Sequence, residues 1–77
     1  MAKYELTTNG ERCTLTDTEN RVTVDWIKGD FYGTQESEAA ADGPLYRGRS
    51  AADALAALYT VRREMYEYVA AIRPELL

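Results

Sequence analysis

The sequence predicts an α+β domain, a three- or four-stranded antiparallel β-meander followed by one long C-terminal helix packed on its apolar face. Three observations carry this expectation. Apolar and polar residues alternate in three successive short runs, Asn9-Gly10 separates the first two, and a Ser-capped, alanine-rich stretch with helical apolar spacing closes the chain.

Each element has its own justification. Tyr4, Leu6 and Thr8 alternate with Lys3, Glu5 and Thr7. Cys13 and Leu15 alternate with Arg12, Thr14 and Thr16, and Val22, Val24 and Trp26 with Arg21, Thr23 and Asp25. Period two places alternate side chains on opposite faces of a sheet, so Tyr4, Leu6, Cys13, Leu15, Val22, Val24 and Trp26 form one apolar face. Asn9-Gly10 suits a type I′ hairpin turn, which needs positive φ at both central positions, and Asp17-Thr18-Glu19-Asn20 makes a longer second turn. After Trp26 the alternation breaks. Either the third strand continues through a bulge at Gly29, or a fourth short strand begins at Phe31. Residues 34–43 read as an exposed acidic loop, and Pro44 to Gly48 as an edge strand or an extended lead-in.

The helix is expected from about residue 50 to residue 73. Ser50 is its N-cap, and Asp53 stands at the third helical position, near the positive end of the helix dipole. Arg73 and Pro74 mark its end. Two stripes run along it. Leu55, Leu58, Val61, Met65, Val69 and Ile72 are the expected lid on the sheet. Tyr59, Arg62, Arg63, Tyr66 and Arg73 run beside them, and Tyr and Arg are favoured at the energetic centres of protein interfaces.

Composition narrows the function. Seventy-seven residues make one small domain, with strands within 3–33, too small for a roomy substrate pocket. The absence of histidine removes the commonest general base and zinc ligand, and a single cysteine, Cys13, excludes an internal disulfide and a thiolate zinc site. Cys13 falls in strand phase and reads as a small core residue. Asp17 with Glu19, and Glu36 with Glu38, lack the ligand loop of a calcium hand. We therefore expect no catalytic residues, no metal and no cofactor, and a protein that is not an enzyme.

The formal net charge is −4, and residues 17–42 alone carry −5. Phosphate-driven nucleic-acid binding expects the opposite sign, so a nucleic-acid partner is disfavoured. No run approaches the roughly 20 apolar residues of a membrane span, and Lys3 is followed by alternating polar residues rather than a leader-like apolar run. A cytoplasmic protein without a membrane partner is expected.

The stretch from Tyr46 through Arg47-Gly48-Arg49-Ser50 to Leu55, an extended segment leading into an Ala-rich capped helix, resembles the strand-to-helix join of HicB-type antitoxins, although their acidic-Gly-Thr helix start is absent. As a whole the chain is similar in type to small acidic proteins of phages and mobile elements, anti-CRISPR inhibitors among them. That resemblance implies a protein-binding inhibitor or regulator of a larger, nucleic-acid-handling complex, acting in the host cytoplasm if phage-encoded. The expected contact residues are Tyr59, Arg62, Tyr66 and Arg73 on one surface. On another, Asp17, Glu19, Asp25 and Asp30 would face a protein partner with a basic surface. The alternatives are a self-assembling homodimeric accessory protein and an antitoxin-like regulator.

Overall fold

The computed structural model describes residues 2–77. It shows a four-stranded antiparallel sheet in the order β1-β2-β3-β4, followed by one long helix. The strands are β1 (Tyr4–Asn9), β2 (Arg12–Asp17), β3 (Val22–Ile27) and β4 (Glu36–Ala39), and a one-turn helix α1 (Phe31–Thr34) lies between β3 and β4. The closing helix α2 spans Ala51–Ile72, and a 3-10 turn over Pro74–Leu76 follows it.

The alternation of the first three runs sets the register. Leu6 pairs with Leu15 and Leu15 with Val24, so the inward residues of β1, β2 and β3 line up across the sheet. The first hairpin differs in detail from the expectation. Asn9 pairs with Arg12, leaving Gly10 and Glu11 as the loop, and only Gly10 has positive φ. That is the pattern of a II′ turn, in which the first central residue alone needs the left-handed region.

The second turn is held by a buried acid. Asp17 stands in phase with Cys13 and Leu15 and is 0% exposed. Its Oδ1 accepts from the backbone N–H groups of Glu19 and Asn20, both at 3.0 Å, and its Oδ2 accepts from the Asn20 side-chain amide at 2.9 Å. A buried carboxylate is tolerated where donors satisfy it, and here three do. The same turn closes through Arg21 at φ 56°, a conformation uncommon for a residue other than glycine.

After Ile27 neither expected continuation occurs. Gly29, at φ 86°, turns the chain into α1, and the Thr34 hydroxyl accepts from the Ile27 N–H while donating to the Asp30 carbonyl. The chain then returns as β4, inside the stretch expected to be an acidic loop. Val24 pairs with Ser37 and Val22 with Ala39, so the small residues Ser37 and Ala39 face inward and Glu36 and Glu38 outward. Residues 41–48 form turns rather than a strand, with Leu45 inserted into the core.

The Ser50 hydroxyl accepts from the Asp53 N–H at 3.2 Å and caps α2, as its sequence implies. The buried arc is narrower than the expected stripe. Ala54, Val61, Met65 and Val69 face the sheet, while Leu55 and Ile72 are 50% and 46% exposed. Each residue advances about 100° around the helix, so with Ala54 turned inward Leu55 falls to the side. At the other end the 3-10 turn takes over the role expected of Ile72. Leu76 is buried, and its carbonyl accepts from the Trp26 indole at 2.8 Å and from the Gly29 N–H at 3.0 Å.

Candidate protein-binding surfaces

The meander builds the first surface. One face of the sheet lies under α2; among the described residues no element covers the other. Because directly paired residues share a face, the pairs Glu5 with Thr16, Thr14 with Asp25, Asp25 with Glu36 and Thr23 with Glu38 place all these side chains on the uncovered side. Four carboxylates, Glu5, Asp25, Glu36 and Glu38, thus share that face with a row of threonines. Arg12 lies on it, and Arg21 borders it beside Thr23 and Glu38. Asp25 accepts from the Thr14 hydroxyl at 2.5 Å, and the Thr16 and Thr23 hydroxyls lie 3.3 Å apart. These cross-strand links hold the middle of the face in place. Among the described residues the ion pairs are Arg21 with Asp42 at 3.1 Å and Arg73 with Glu75 at 2.6 Å, so none of the four carboxylates takes part in one.

The acids expected to act together are therefore sorted differently. Asp17 leaves the contact set, because a fully buried side chain held by three donors has nothing to offer a partner. Glu19 sits exposed in the turn before β3, and Asp30 exposed beyond its far end. Of the expected set only Asp25 lies on the open face, where β4 supplies Glu36 and Glu38 as its neighbours. Their alternation with Ser37 and Ala39 was the sequence signal for this, a period of two written in polar and small residues.

The second surface is an aromatic ridge. Trp26 meets Phe31 edge-on in the core, with ring centroids 5.0 Å apart, and Phe31 meets Tyr66 at 5.2 Å. Tyr32, 66% exposed, stacks on Tyr66 at 5.0 Å. Along α2 the Arg62 guanidinium lies over the Tyr59 ring at 5.2 Å, and Tyr59 is itself 56% exposed. The ridge thus joins Tyr32, Tyr66, Arg62, Tyr59 and Leu55. Arg62 Nε is buried and has no hydrogen-bond partner. Arg73 stands apart from the ridge, since it caps the helix and is paired with Glu75. Tyr68 is on the core side of α2, stacked on Tyr4 at 4.4 Å.

Small-molecule chemistry finds little to use. A hollow of about 200 Å³ is lined by Arg21, Thr23, Glu38 and Ala40, and ligand pockets usually enclose about 300 to 1,000 Å³. Among the described residues no group of three potential ligands converges on a metal position. Burial pushes the Cys13 thiol up from its ordinary value, which keeps it protonated and unreactive. The hydrogen bond from Arg73 holds the Glu75 carboxyl below the usual carboxylate range. Among the described residues no helix is long and apolar enough to cross a membrane. No known protein family, curated protein or solved structure matches the chain.

Proposed function

We propose that this chain is a small acidic protein-binding module that inhibits or regulates a larger complex by docking the open face of its sheet on a basic surface. One observation carries the reading: Glu5, Asp25, Glu36 and Glu38 share an uncovered, hydrogen-bonded sheet face, with no ion pair to any of them among the described residues. A paired sheet backbone loses little freedom on binding, the Thr14 hydroxyl holds Asp25, and a complementary charge steers the encounter and selects the partner. A protein that handles nucleic acid offers such a basic surface, where carboxylates take the place of phosphates. An antitoxin-like role is the same reading with a toxin as the basic partner.

The experiment is co-purification from the native host at low salt, followed by competition. The expected result is a basic, nucleic-acid-binding protein that elutes as salt rises and whose nucleic-acid binding this chain displaces. The combined substitution Asp25→Asn, Glu36→Gln and Glu38→Gln abolishes both. Recovery of no such partner, or equal capture by the neutralised variant, overturns the reading.

A further inference from the structure

Past the end of α2 the chain crosses back over the entry to α1. The Leu76 carbonyl accepts from the Trp26 indole at 2.8 Å and from the Gly29 N–H at 3.0 Å, and the Leu77 carbonyl accepts from the Phe31 N–H at 3.3 Å. All three donors lie between the end of β3 and the start of α1. With the Leu76 side chain buried as well, residues 74–77 form a strap over this stretch. The turn beneath it has few ties of its own. The Thr34 N–H donates to the Asp30 carbonyl at 3.0 Å, and the Thr34 hydroxyl links that carbonyl to the Ile27 N–H. An isolated helix is marginal below about 12 to 15 residues. One turn therefore persists because Phe31 is buried against Trp26 and the strap holds the Gly29 and Phe31 amides.

We propose that α1 and the strap form one conformational unit, which opens and closes on an otherwise intact sheet and long helix and so gates the aromatic ridge. Neither part belongs to the ladder of four strands or to α2. Opening breaks the three strap bonds and exposes Leu76, Phe31 and one side of Trp26. The β2–β3 ladder and the packing of Val61, Met65 and Val69 persist. Opening therefore costs less than global unfolding, which breaks those as well.

The consequence falls on the second surface. Tyr32 is carried by α1, and its stacking on Tyr66 belongs to the closed state. In the open state the ridge loses Tyr32 while Tyr66, Arg62 and Tyr59 stay on α2. Anything that holds Tyr32 against Tyr66 binds the closed state and suppresses opening by mass action. The inference goes beyond the acidic face and does not depend on it.

Native-state hydrogen exchange on the full chain, followed through a denaturant series, tests the proposal. The Trp26 indole and the Gly29, Phe31, Thr34 and Leu76 amides report the unit, and the Leu15 and Val24 amides report the ladder. The expected protection of the unit is about tenfold or more below that of the ladder, with a weaker dependence on denaturant because less surface is exposed. Substitution then tests the coupling from both sides. Leu76→Ala, in the strap, speeds exchange at Thr34 in α1 by roughly thirtyfold. Thr34→Val, in α1, removes the hydroxyl link and speeds exchange at the Trp26 indole by about fivefold. Thr34 is exposed, so this second variant reports the coupling even if Leu76→Ala does not fold. Met65→Ala speeds the ladder and leaves the unit unchanged, since the Met65 contacts persist in the open state. Exchange in the unit that matches the ladder in protection and in denaturant dependence overturns the proposal. So does a Trp26 indole indifferent to Thr34→Val, or one that speeds up in Met65→Ala as much as the ladder does.

Discussion

The two faces of the sheet come from the same strands and do opposite work. On the covered face Cys13, Leu15, Val22, Val24 and Trp26 are buried against Val61, Met65 and Val69. On the open face, one residue away along each strand, stand Thr14, Thr16, Thr23 and Asp25. Burial of apolar area stabilises the first face, and its residues are constrained by volume. The second face contributes hydrogen-bonded threonines and carboxylates without ion pairs among the described residues, and Asp25 is the acid tied into it, through the Thr14 hydroxyl. If the open face serves binding as proposed, the period of two separates stability from binding within a single strand, and substitution tests that separation.

The sharpest break should come at the covered face. Met65→Ala removes a fully buried side chain from the centre of α2, and we expect it to cost about 2 to 5 kcal/mol by chemical denaturation. In so small a domain that is a large part of the total.

Asp17 is the exception that sharpens the contrast, a charged residue on the apolar side. Asp17→Ala leaves the Glu19 and Asn20 amides without their acceptor and should cost about 2 to 3 kcal/mol. Asp17→Asn keeps an oxygen for those two amides and should lose clearly less. Equal losses would mean that the turn does not depend on these bonds.

The smallest effect on the covered face is a pH dependence. The Cys13 thiol is pushed up by burial, so the folded state holds its proton longer than the unfolded chain does. Its contribution is complete below the ordinary thiol value and is lost as pH rises through the raised one. The denaturation midpoint should fall in that alkaline window, and the part of the fall due to the thiol should vanish in Cys13→Ala. An undiminished fall in the variant would assign it to other groups.

Much of this architecture was legible in the residues. Three alternating runs marked which side chains of β1, β2 and β3 face inward, and Ser50 with Asp53 marked the start of α2. What escaped was the return of the chain as β4. Glu36-Ser37-Glu38-Ala39 has the right period but no large apolar residue, and it becomes a strand because β3 offers it an edge. Asp17 is in phase with Cys13 and Leu15, but a carboxylate is ordinarily solvated, and only the donors of the turn that follows explain its burial. Leu55 and Ile72 share the helical spacing of the core residues yet lie exposed, since spacing alone does not say how wide a stripe one sheet can cover. The ridge was half legible: Tyr59, Arg62 and Tyr66 share a helix face in any helix, whereas Tyr32 joins them only because α1 folds the chain back.

The account rests on the claim that the open acidic face serves binding and not the fold, and one variant tests it most directly. In Asp25→Asn, Glu36→Gln and Glu38→Gln together, capture of the basic partner at low salt is measured beside the denaturation midpoint. The account predicts that capture is lost while stability stays within about 0.5 kcal/mol of the parent or rises slightly as repulsion is relieved. Capture retained at full strength, or lost only together with a fall in stability like that of Met65→Ala, would contradict it.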